Sequence, residues 1–468
     1  MNRIARLRKV LLIGIGIIVL AGGVYGINFL RSVAPFASGF AAHTFCSNLF
    51  IAGREYEDIE ANDLTSTQRL LTRSRVEGSS VVTKFGIWPA NYTSIAVYRP
   101  GLGCAQLAGE TMAELEGPDM LERDMPAVLP PALAWPEVRS NPEGVDIELL
   151  SAALDRAFTD SEANYEERQN TRAVVIFHKD ELIAERYAEG FDHATPLNSW
   201  SMTKSATSAL IGILVGQSRI DLKAQAPIES WRLPGDPRSQ VTVEQILQMT
   251  SGLDFNEGYE SDPISDVNRM LMNTRDLPTF AATFPLSAKP GERWSYQTAN
   301  PVLLGKIIRD TIGPDEEYYH FAQRELFNKL GIRDSYYQAD GSGTYVGGAF
   351  LFGTARDWAR FGLLYLNDGI VNGDRILPEG WVEYSRTPSK ASLDSRAYGA
   401  QFWLNHDSKK QMMPGIPEDA YAARGHYGQS VFIIPSRDLV VVRMGQTLKP
   451  AAWNMELFLQ DGLAALPK

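Results

Sequence analysis

Two pairs of short apolar runs flank the C-terminal part of the chain and predict the strands of a sheet. The first pair lies in TRAVVIFHKDELIAERYAEGF, where Lys179 and Asp180 form a turn between the runs. The second pair lies in QSVFIIPSRDLVVVRMG, where Pro435 to Asp438 separate the runs. β-Branched residues in runs of this length are typical of buried strands. The sequence therefore predicts a sheet with strands from both ends of this region.

Helical patterns fill the interval between these strands. They are Ser201 to Val215, TVEQILQMTSGL ending at Gly252, and TARDWARFGLLYLNDG, where Thr354 and Asp357 form an N-terminal cap. Strands at both ends with helices inserted between them predict an α+β fold.

A smaller region precedes this domain. Between Phe45 and Ala108 polar and apolar residues alternate in short runs such as YTSIAVYR at 92–99, which predicts strands of a small domain or cover. A proline-rich stretch from Pro126 to Gly144 then marks a linker. The predicted divisions are residues 1–31, 32–144 and 145–468.

The extreme N-terminus predicts a membrane span or signal sequence. A basic flank precedes an uncharged run from Val10 to Leu30, long enough to cross a bilayer. Because the positive charges come first, we expect the rest of the chain outside the cytoplasm, on the periplasmic side of the inner membrane. A buried core helix is the alternative. Small residues offer only a poor cleavage site, so an uncleaved single-pass anchor is the favoured interpretation. Those small residues are Ala34, Ala37 and Ala41.

The chain contains two cysteines, Cys46 and Cys104. An even number of cysteines in an exported protein favours a disulfide between them, and two buried free thiols are the alternative. The net charge of −11 and the lack of long basic runs beyond the N-terminus argue against nucleic-acid binding. No pair of histidines or cysteines has metal-ligand spacing, so we predict neither a metal nor another cofactor.

The segment NSWSMTKSATSALIGILVG places a single lysine in an otherwise uncharged helix. Residues three apart share a helix face, so Lys204 lies beside Ser201. Burial lowers the pKa of a lysine, and a neutral lysine can accept the serine proton and create a nucleophile. In the alternative interpretation, Ser201 is a helix cap and Lys204 reaches to solvent.

Six segments in order, SWSMTKSATSALIGILV, ILQMTSGLDF, GERWSYQTANPVLLG, LGIRDSYY, GTARDWARFGLLYL and RGHYGQSVFIIPSRDLVVV, resemble a family of serine hydrolases. That family contains class C β-lactamases, D,D-peptidases, carboxylesterases and 6-aminohexanoate-dimer hydrolases, and the resemblance covers about residues 145–450. It implies an antiparallel sheet flanked by helices, with a helical subdomain. It also implies Ser201 as nucleophile with Lys204 as its partner, Tyr296 as the tyrosine of the Tyr-x-Asn element, and His426 to Gly428 as the counterpart of Lys-Thr-Gly.

The residues themselves suggest further roles. The phenol of Tyr296 could exchange a proton with Lys204, although a packing role is the alternative. The amide N–H groups of Gln429 and Ser201 would form an oxyanion hole. Gly428 would allow a substrate close to the backbone, whereas an isolated histidine such as His426 is often structural.

Two positions depart from the family pattern, and both are expected to contact substrate. Thr298 stands where the family usually has asparagine, and His426 stands where it often has lysine. The loss of an amide and a fixed charge predicts preference for esters and small linear amides over β-lactams, although Arg424 could supply the charge. A D,D-peptidase or β-lactamase and a non-catalytic envelope sensor or binding protein stay open as alternatives. An α/β-hydrolase is set aside because Gly-x-Ser-x-Gly is absent. The sequence indicates no protein partner.

Overall fold

The protein is represented by a computed structural model that describes residues 2–109, 111, 115, 133–160, 164–259, 261–333, 335–393, 397–406 and 411–467, with side chains from residue 20 onward. The strands of the described chain are β1 (Thr72–Glu77), β2 (Ser80–Phe85), β3 (Tyr92–Arg99), β4 (Gly103–Gln106), β5 (Thr171–His178), β6 (Glu181–Tyr187), β7 (Leu197–Asn198), β8 (Tyr336–Tyr337), β9 (Leu351–Gly353), β10 (Ile370–Val371), β11 (Asp374–Arg375), β12 (Trp403–Leu404), β13 (Tyr421–Arg424), β14 (Ser430–Ile434) and β15 (Leu439–Gly445).

The α-helices of the described chain are α1 (Asn2–Phe50), α2 (Tyr56–Asn62), α3 (Ser66–Leu71), α4 (Ile147–Phe158), α5 (Thr203–Gly216), α6 (Val243–Leu247), α7 (Asp266–Asn273), α8 (Leu277–Ala282), α9 (Ala299–Ile312), α10 (Asp315–Ala322), α11 (Asn328–Leu330), α12 (Ala355–Leu366), α13 (Trp381–Ser385) and α14 (Met455–Ala464).

The main sheet has the antiparallel order β12-β13-β14-β15-β5-β6 and so combines strands from both ends of the C-terminal region, residues 145–468, as predicted. Successive side chains alternate between its faces. Val440 and Val442 belong to the core that includes α12, while Val441 belongs to the core formed with α4 and α14. The predicted turn at Lys179 and Asp180 is confirmed, because both residues have the positive φ that a tight two-residue hairpin needs.

Helix α5 lies in the middle of the helical region and is buried from Thr203 to Leu214. Its polar side chains are satisfied internally: Ser205 Oγ donates to the Gln401 carbonyl at 2.7 Å, and Ser208 Oγ donates to the Ala400 carbonyl at 3.0 Å. The helix tolerates complete burial because its hydroxyls have partners of this kind. This burial agrees with a helix sequence whose single charged residue is Lys204.

The first helix extends into the region where the alternating pattern, beginning at Phe45, predicted strands. Helix α1 continues to Phe50, because Ala41, Ala42 and Phe45 recur at helical spacing and pack against the β1-β2-β3-β4 sheet. A disulfide joins Cys46 of α1 to Cys104 of β4.

Buried polar contacts join this region to the C-terminal region. Gln338 Oε1 accepts hydrogen bonds from the amide N–H of Cys104 at 2.7 Å and from Ser47 Oγ at 3.2 Å. Asp63 forms ion pairs with Arg54 at 2.6 Å and Arg172 at 2.9 Å. These contacts fix the position of the N-terminal region relative to the C-terminal region.

Other boundaries agree in part with the sequence predictions. The Thr354 and Asp357 cap is confirmed as a reciprocal capping box. The helix expected to end at Gly252 is shorter and ends at Leu247, because Met249 has a positive φ that stops a right-handed helix.

The predicted linker and the predicted membrane span fall partly outside the described residues. Residues 116–132, which contain the first part of the linker, are not described. The side chains of residues 1–19 are also outside, and they include much of the predicted membrane span. Within the part of the chain that is described, no helix is long and apolar enough to cross a membrane.

Candidate active site

Ser201 lies in a 3₁₀ turn, Trp200–Met202, directly before α5. The residue before it, Trp200, has a φ of 47°, a conformation that is costly for an aromatic residue and is often found next to catalytic groups. The amide of Trp200 donates to Asn198 Oδ1 at 2.9 Å, which holds this turn. Ser201 is half-buried and lines two adjoining cavities.

Lys204 is 1 % exposed, and its amine makes three short contacts. Nζ lies 2.9 Å from Ser201 Oγ, 3.0 Å from Thr298 Oγ1 and 2.8 Å from the carbonyl oxygen of Gly348. The structure therefore brings the predicted serine and lysine into direct contact and rules out a solvent-exposed lysine.

The partners of this amine decide where its lone pair points. The Gly348 carbonyl can only accept, and the hydroxyl hydrogen of Thr298 is donated to Glu257. Both groups therefore accept hydrogens from Lys204. A neutral amine has two hydrogens and one lone pair, so the lone pair is left for the hydroxyl of Ser201. Deprotonated Lys204 is thus arranged as a base for Ser201.

The surroundings of Lys204 lower its pKa, so a larger fraction of the amine is neutral at pH 7. Burial lowers the pKa of Lys204 to about 8, while the charge of Glu257 acts in the opposite direction. About one lysine in ten is then neutral at pH 7, against about one in 3,000 at the ordinary pKa.

Tyr296 lies beside the same amine. The ring centroid is 5.0 Å from Lys204 Nζ and 5.0 Å from the ring centroid of Trp403. Burial raises the pKa of Tyr296 well above its ordinary value, and its hydrogen bond with Ser201 opposes this only in part. The phenol is therefore protonated at neutral pH, which suits a proton donor rather than a resting base.

Glu257, in the loop between α6 and α7, is a site residue that the sequence interpretation missed. Its carboxylate accepts hydrogen bonds from the amide of Thr298 at 2.7 Å and from the Thr298 hydroxyl. Burial raises its pKa, and the charge of Lys204 opposes that rise. The run NEGYES contains no recognisable catalytic motif, and only the fold brings Glu257 to Thr298.

Thr298 makes a contact that the sequence did not predict. It precedes α9 and is buried, and its hydroxyl connects Lys204 to Glu257. This hydroxyl orients the lysine. Thr298 also lines the smaller cavity at Ser201, and its predicted contact with substrate stays a prediction.

The two residues of the predicted oxyanion hole, Ser201 and Gln429, both line the larger cavity at the active site. Their amide N–H groups as the oxyanion hole stay a prediction. Gly425 allows the backbone before Gln429 to lie close to the backbone before Ser201, because a Cβ at Gly425 would lie 2.3 Å from the Ser199 carbonyl oxygen. A Cβ at Gly428 would lie 2.4 Å from the Arg443 guanidinium, so this glycine makes room for Arg443. Gly428 also lines the larger cavity, and its predicted closeness to a substrate stays a prediction.

His426 lies between aromatic rings at the junction of the two cavities. Its ring centroid is 5.6 Å from that of Trp200 and 4.8 Å from that of Tyr259. Burial lowers the pKa of His426 to about 3, so the imidazole is neutral at physiological pH. Arg424 also lines the larger cavity and provides a fixed positive charge there.

The larger cavity, named here the aromatic cleft, has a volume of about 950 Å³ and is lined by Trp294, Tyr296, Trp403 and Trp453. This volume is within the usual range for small-molecule sites. Among the residues described, no group of three or more histidine, cysteine, aspartate and glutamate side chains could hold a metal ion. The contact between the buried Lys204 amine and Ser201 Oγ suits acyl transfer through the serine.

Comparison with known proteins agrees with this geometry. A family model described as Beta-lactamase matches residues 156–464, more than half of the chain. The 6-aminohexanoate-dimer hydrolase of Paenarthrobacter ureafaciens is 27 % identical over 312 residues, which cover 64 % of this chain and 78 % of the relative.

Solved structures share the fold. One from Bacillus anthracis, provisionally named a 6-aminohexanoate-dimer hydrolase, is 27 % identical with a TM-score of 0.55, and the match covers 64 % of this chain and 81 % of that one. EstCE1, a hydrolase with promiscuous acyltransferase activity, is 15 % identical with a TM-score of 0.54 over 68 % of this chain and 98 % of its own, which shows the fold alone. The chain belongs to the beta-lactamase family and is a serine hydrolase of that family.

Proposed function

We propose that the protein hydrolyses esters or small linear amides through an acyl-enzyme intermediate on Ser201. The observation that carries this proposal is the buried amine of Lys204, which lies 2.9 Å from Ser201 Oγ and whose other two neighbours accept its hydrogens. A lysine used only for packing would not need this arrangement.

The reaction follows from these contacts. Neutral Lys204 accepts the proton of Ser201, and Oγ attacks the carbonyl carbon of the substrate. The amide N–H groups of Ser201 and Gln429 stabilise the oxyanion. The Tyr296 hydroxyl donates a proton to the leaving alcohol or amine and regains one from Lys204. Water then attacks the acyl-enzyme and transfers a proton to Lys204, and Lys204 returns a proton to Ser201 Oγ as the acid is released.

The neutral side chain of His426 supports esters and small linear amides. His426 is neutral where many relatives have lysine, so this position provides no fixed charge for a substrate carboxylate. The P. ureafaciens relative is named for hydrolysis of a 6-aminohexanoate dimer, which supports an amide substrate for this chain as well.

A D,D-peptidase or β-lactamase is the second candidate. Arg424 lines the aromatic cleft and could pair with the carboxylate that β-lactams and peptidoglycan stems carry.

A comparison of kcat/KM on one preparation of the full chain separates these candidates. The substrates are p-nitrophenyl butyrate, a short ω-amino acid amide and nitrocefin. We expect nitrocefin to be the poorest of the three. If nitrocefin is the best substrate, the second candidate replaces the first. A matched Arg424→Gln variant should then lose most of the nitrocefin activity and little of the ester activity.

We further propose that the protein is a single-pass membrane protein whose site faces the exported side of the membrane. The basic flank before Val10 and the uncharged run to Leu30 support this orientation. The disulfide between Cys46 and Cys104 also suits an oxidising compartment. A reporter that is active only after export should be active when fused after Lys468, whereas a reporter that is active only in the cytoplasm should not.

A further inference from the structure

The second cavity at Ser201 has a volume of about 560 Å³ and leads away from the aromatic cleft. It is named here the apolar cavity. Its walls come from α1, from α7 and from the end of α3. Apolar lining side chains include Val33, Phe36, Phe40, Leu71, Val267 and Leu271.

This cavity is suited to an uncharged, flexible group. Its lining is predominantly apolar, and the charged groups on it already have partners. Glu257 accepts hydrogen bonds from Thr298, and Lys449 is ion-paired with Glu167. Burial of an aliphatic chain against such walls is favourable by the hydrophobic effect, whereas a charged substituent would lose hydration without a free counter-charge.

The position of the proton donor decides which part of a substrate enters. Tyr296 lines the aromatic cleft, so a leaving group that takes its proton lies on that side of Ser201. The other substituent of the carbonyl carbon then extends toward the apolar cavity, on the side of Phe40 and Thr298. That substituent is the acyl chain.

We propose that the apolar cavity binds an unbranched aliphatic acyl chain, and that α1 thereby forms part of the substrate site. This inference rests on the proposed acyl-enzyme function and adds a substrate class to it: esters of medium-length aliphatic acids. It also gives the N-terminal region a role in specificity, because Val33, Phe36, Ala37 and Phe40 all belong to α1.

The test measures kcat/KM of the full chain with p-nitrophenyl acetate, butyrate, octanoate and decanoate. We expect kcat/KM to rise about twofold to fourfold for each methylene up to about the octanoate. A second series, acetate esters of alcohols of increasing length, should show a much weaker dependence on length. A steep dependence in the alcohol series and a flat one in the acyl series would overturn the assignment of the chain to the acyl side.

Variants of α1 test whether the dependence of kcat/KM on acyl-chain length arises in the apolar cavity. Ala37→Trp fills the apolar cavity and should reduce the octanoate-to-acetate ratio of kcat/KM by at least about tenfold. Ser32→Trp, an exposed position on the same helix, is the matched control and should leave that ratio unchanged. Phe36→Ala enlarges the cavity and should move the preferred chain to greater length.

The failures are distinguishable. If neither an ester nor a small linear amide is hydrolysed, the proposed function and this inference both fail. If the amide is hydrolysed and no ester is, only this inference fails. If esters are hydrolysed with a flat acyl-length profile, or if Ala37→Trp and Phe36→Ala both keep the wild-type profile, only this inference fails.

Discussion

The substitution Glu257→Gln tests whether the charge of Glu257 raises the pKa of Lys204. The substitution keeps the shape of the side chain and removes its charge. Glu257 reaches Lys204 through the Thr298 hydroxyl, which lies 3.0 Å from Nζ. The negative charge stabilises the ammonium, so its removal lowers the pKa of Lys204 further and makes the neutral amine available at lower pH.

The size of the effect follows from the geometry. Two hydrogen bonds in series place the charges roughly 5 Å apart. At an effective dielectric constant of about 20, such a pair interacts by about 3 kcal/mol, or about two pKa units. Because Glu257 is only half-buried, solvent screens part of this energy, and we expect a shift of about one to two units.

The assay is the pH dependence of kcat/KM with p-nitrophenyl butyrate between about pH 5 and 10. In the wild type the rate should rise with pH through about 8, because deprotonation of Lys204 creates the base. In Glu257→Gln the rise should occur about one to two units lower, and the plateau should fall severalfold because the base is weaker. Asp254→Asn, which changes an exposed carboxylate of the same loop, is the matched control and should keep the wild-type midpoint. A Glu257→Gln midpoint that is unchanged or higher would refute the reasoning.

Three other predictions follow from the same site and fold. Ser201→Ala should abolish turnover with little change in Tm, because it removes the nucleophile but only one hydroxyl from packing; turnover within about tenfold of wild type would exclude Ser201. Lys204→Met keeps the volume and loses the base, so acylation measured in a single turnover should slow by at least about a hundredfold, and an undiminished rate would contradict the role of Lys204. Peptide mapping without reduction should show Cys46 linked to Cys104, whereas two alkylatable thiols in unreduced protein would contradict the disulfide.

Local patterns in the sequence predicted the main sheet and the central helix well. The strands around Lys179 and Pro435 combine strong β propensity with turn residues, and their pairing across the domain follows from the need to bury both. The Ser201 and Lys204 pair was also predictable, because a spacing of three within one helical segment fixes their relative positions. By contrast, the extent of α1 was missed, because its last residues, from Phe45 to Phe50, lie in the alternating region that predicted strands.

Contacts between distant segments could not be predicted from local patterns. Glu257 reaches Thr298 across 41 positions of sequence, and only the packing of the loop between α6 and α7 against α9 brings them together. The same holds for Gly428, whose missing side chain makes room for Arg443 from a neighbouring strand. The apolar cavity depends on α1 lying beside α7, a tertiary contact that the composition of neither helix indicates.

The central claim is that Ser201, with Lys204 as its base, forms a covalent acyl-enzyme. Its most direct test is mass spectrometry of the full chain after reaction with a fluorophosphonate, followed by peptide mapping. We expect one adduct, on the peptide that contains Ser201, and strongly reduced labelling in Lys204→Met. An adduct on a different residue, or ester turnover by a protein in which Ser201 stays unlabelled and uninhibited, would contradict the account.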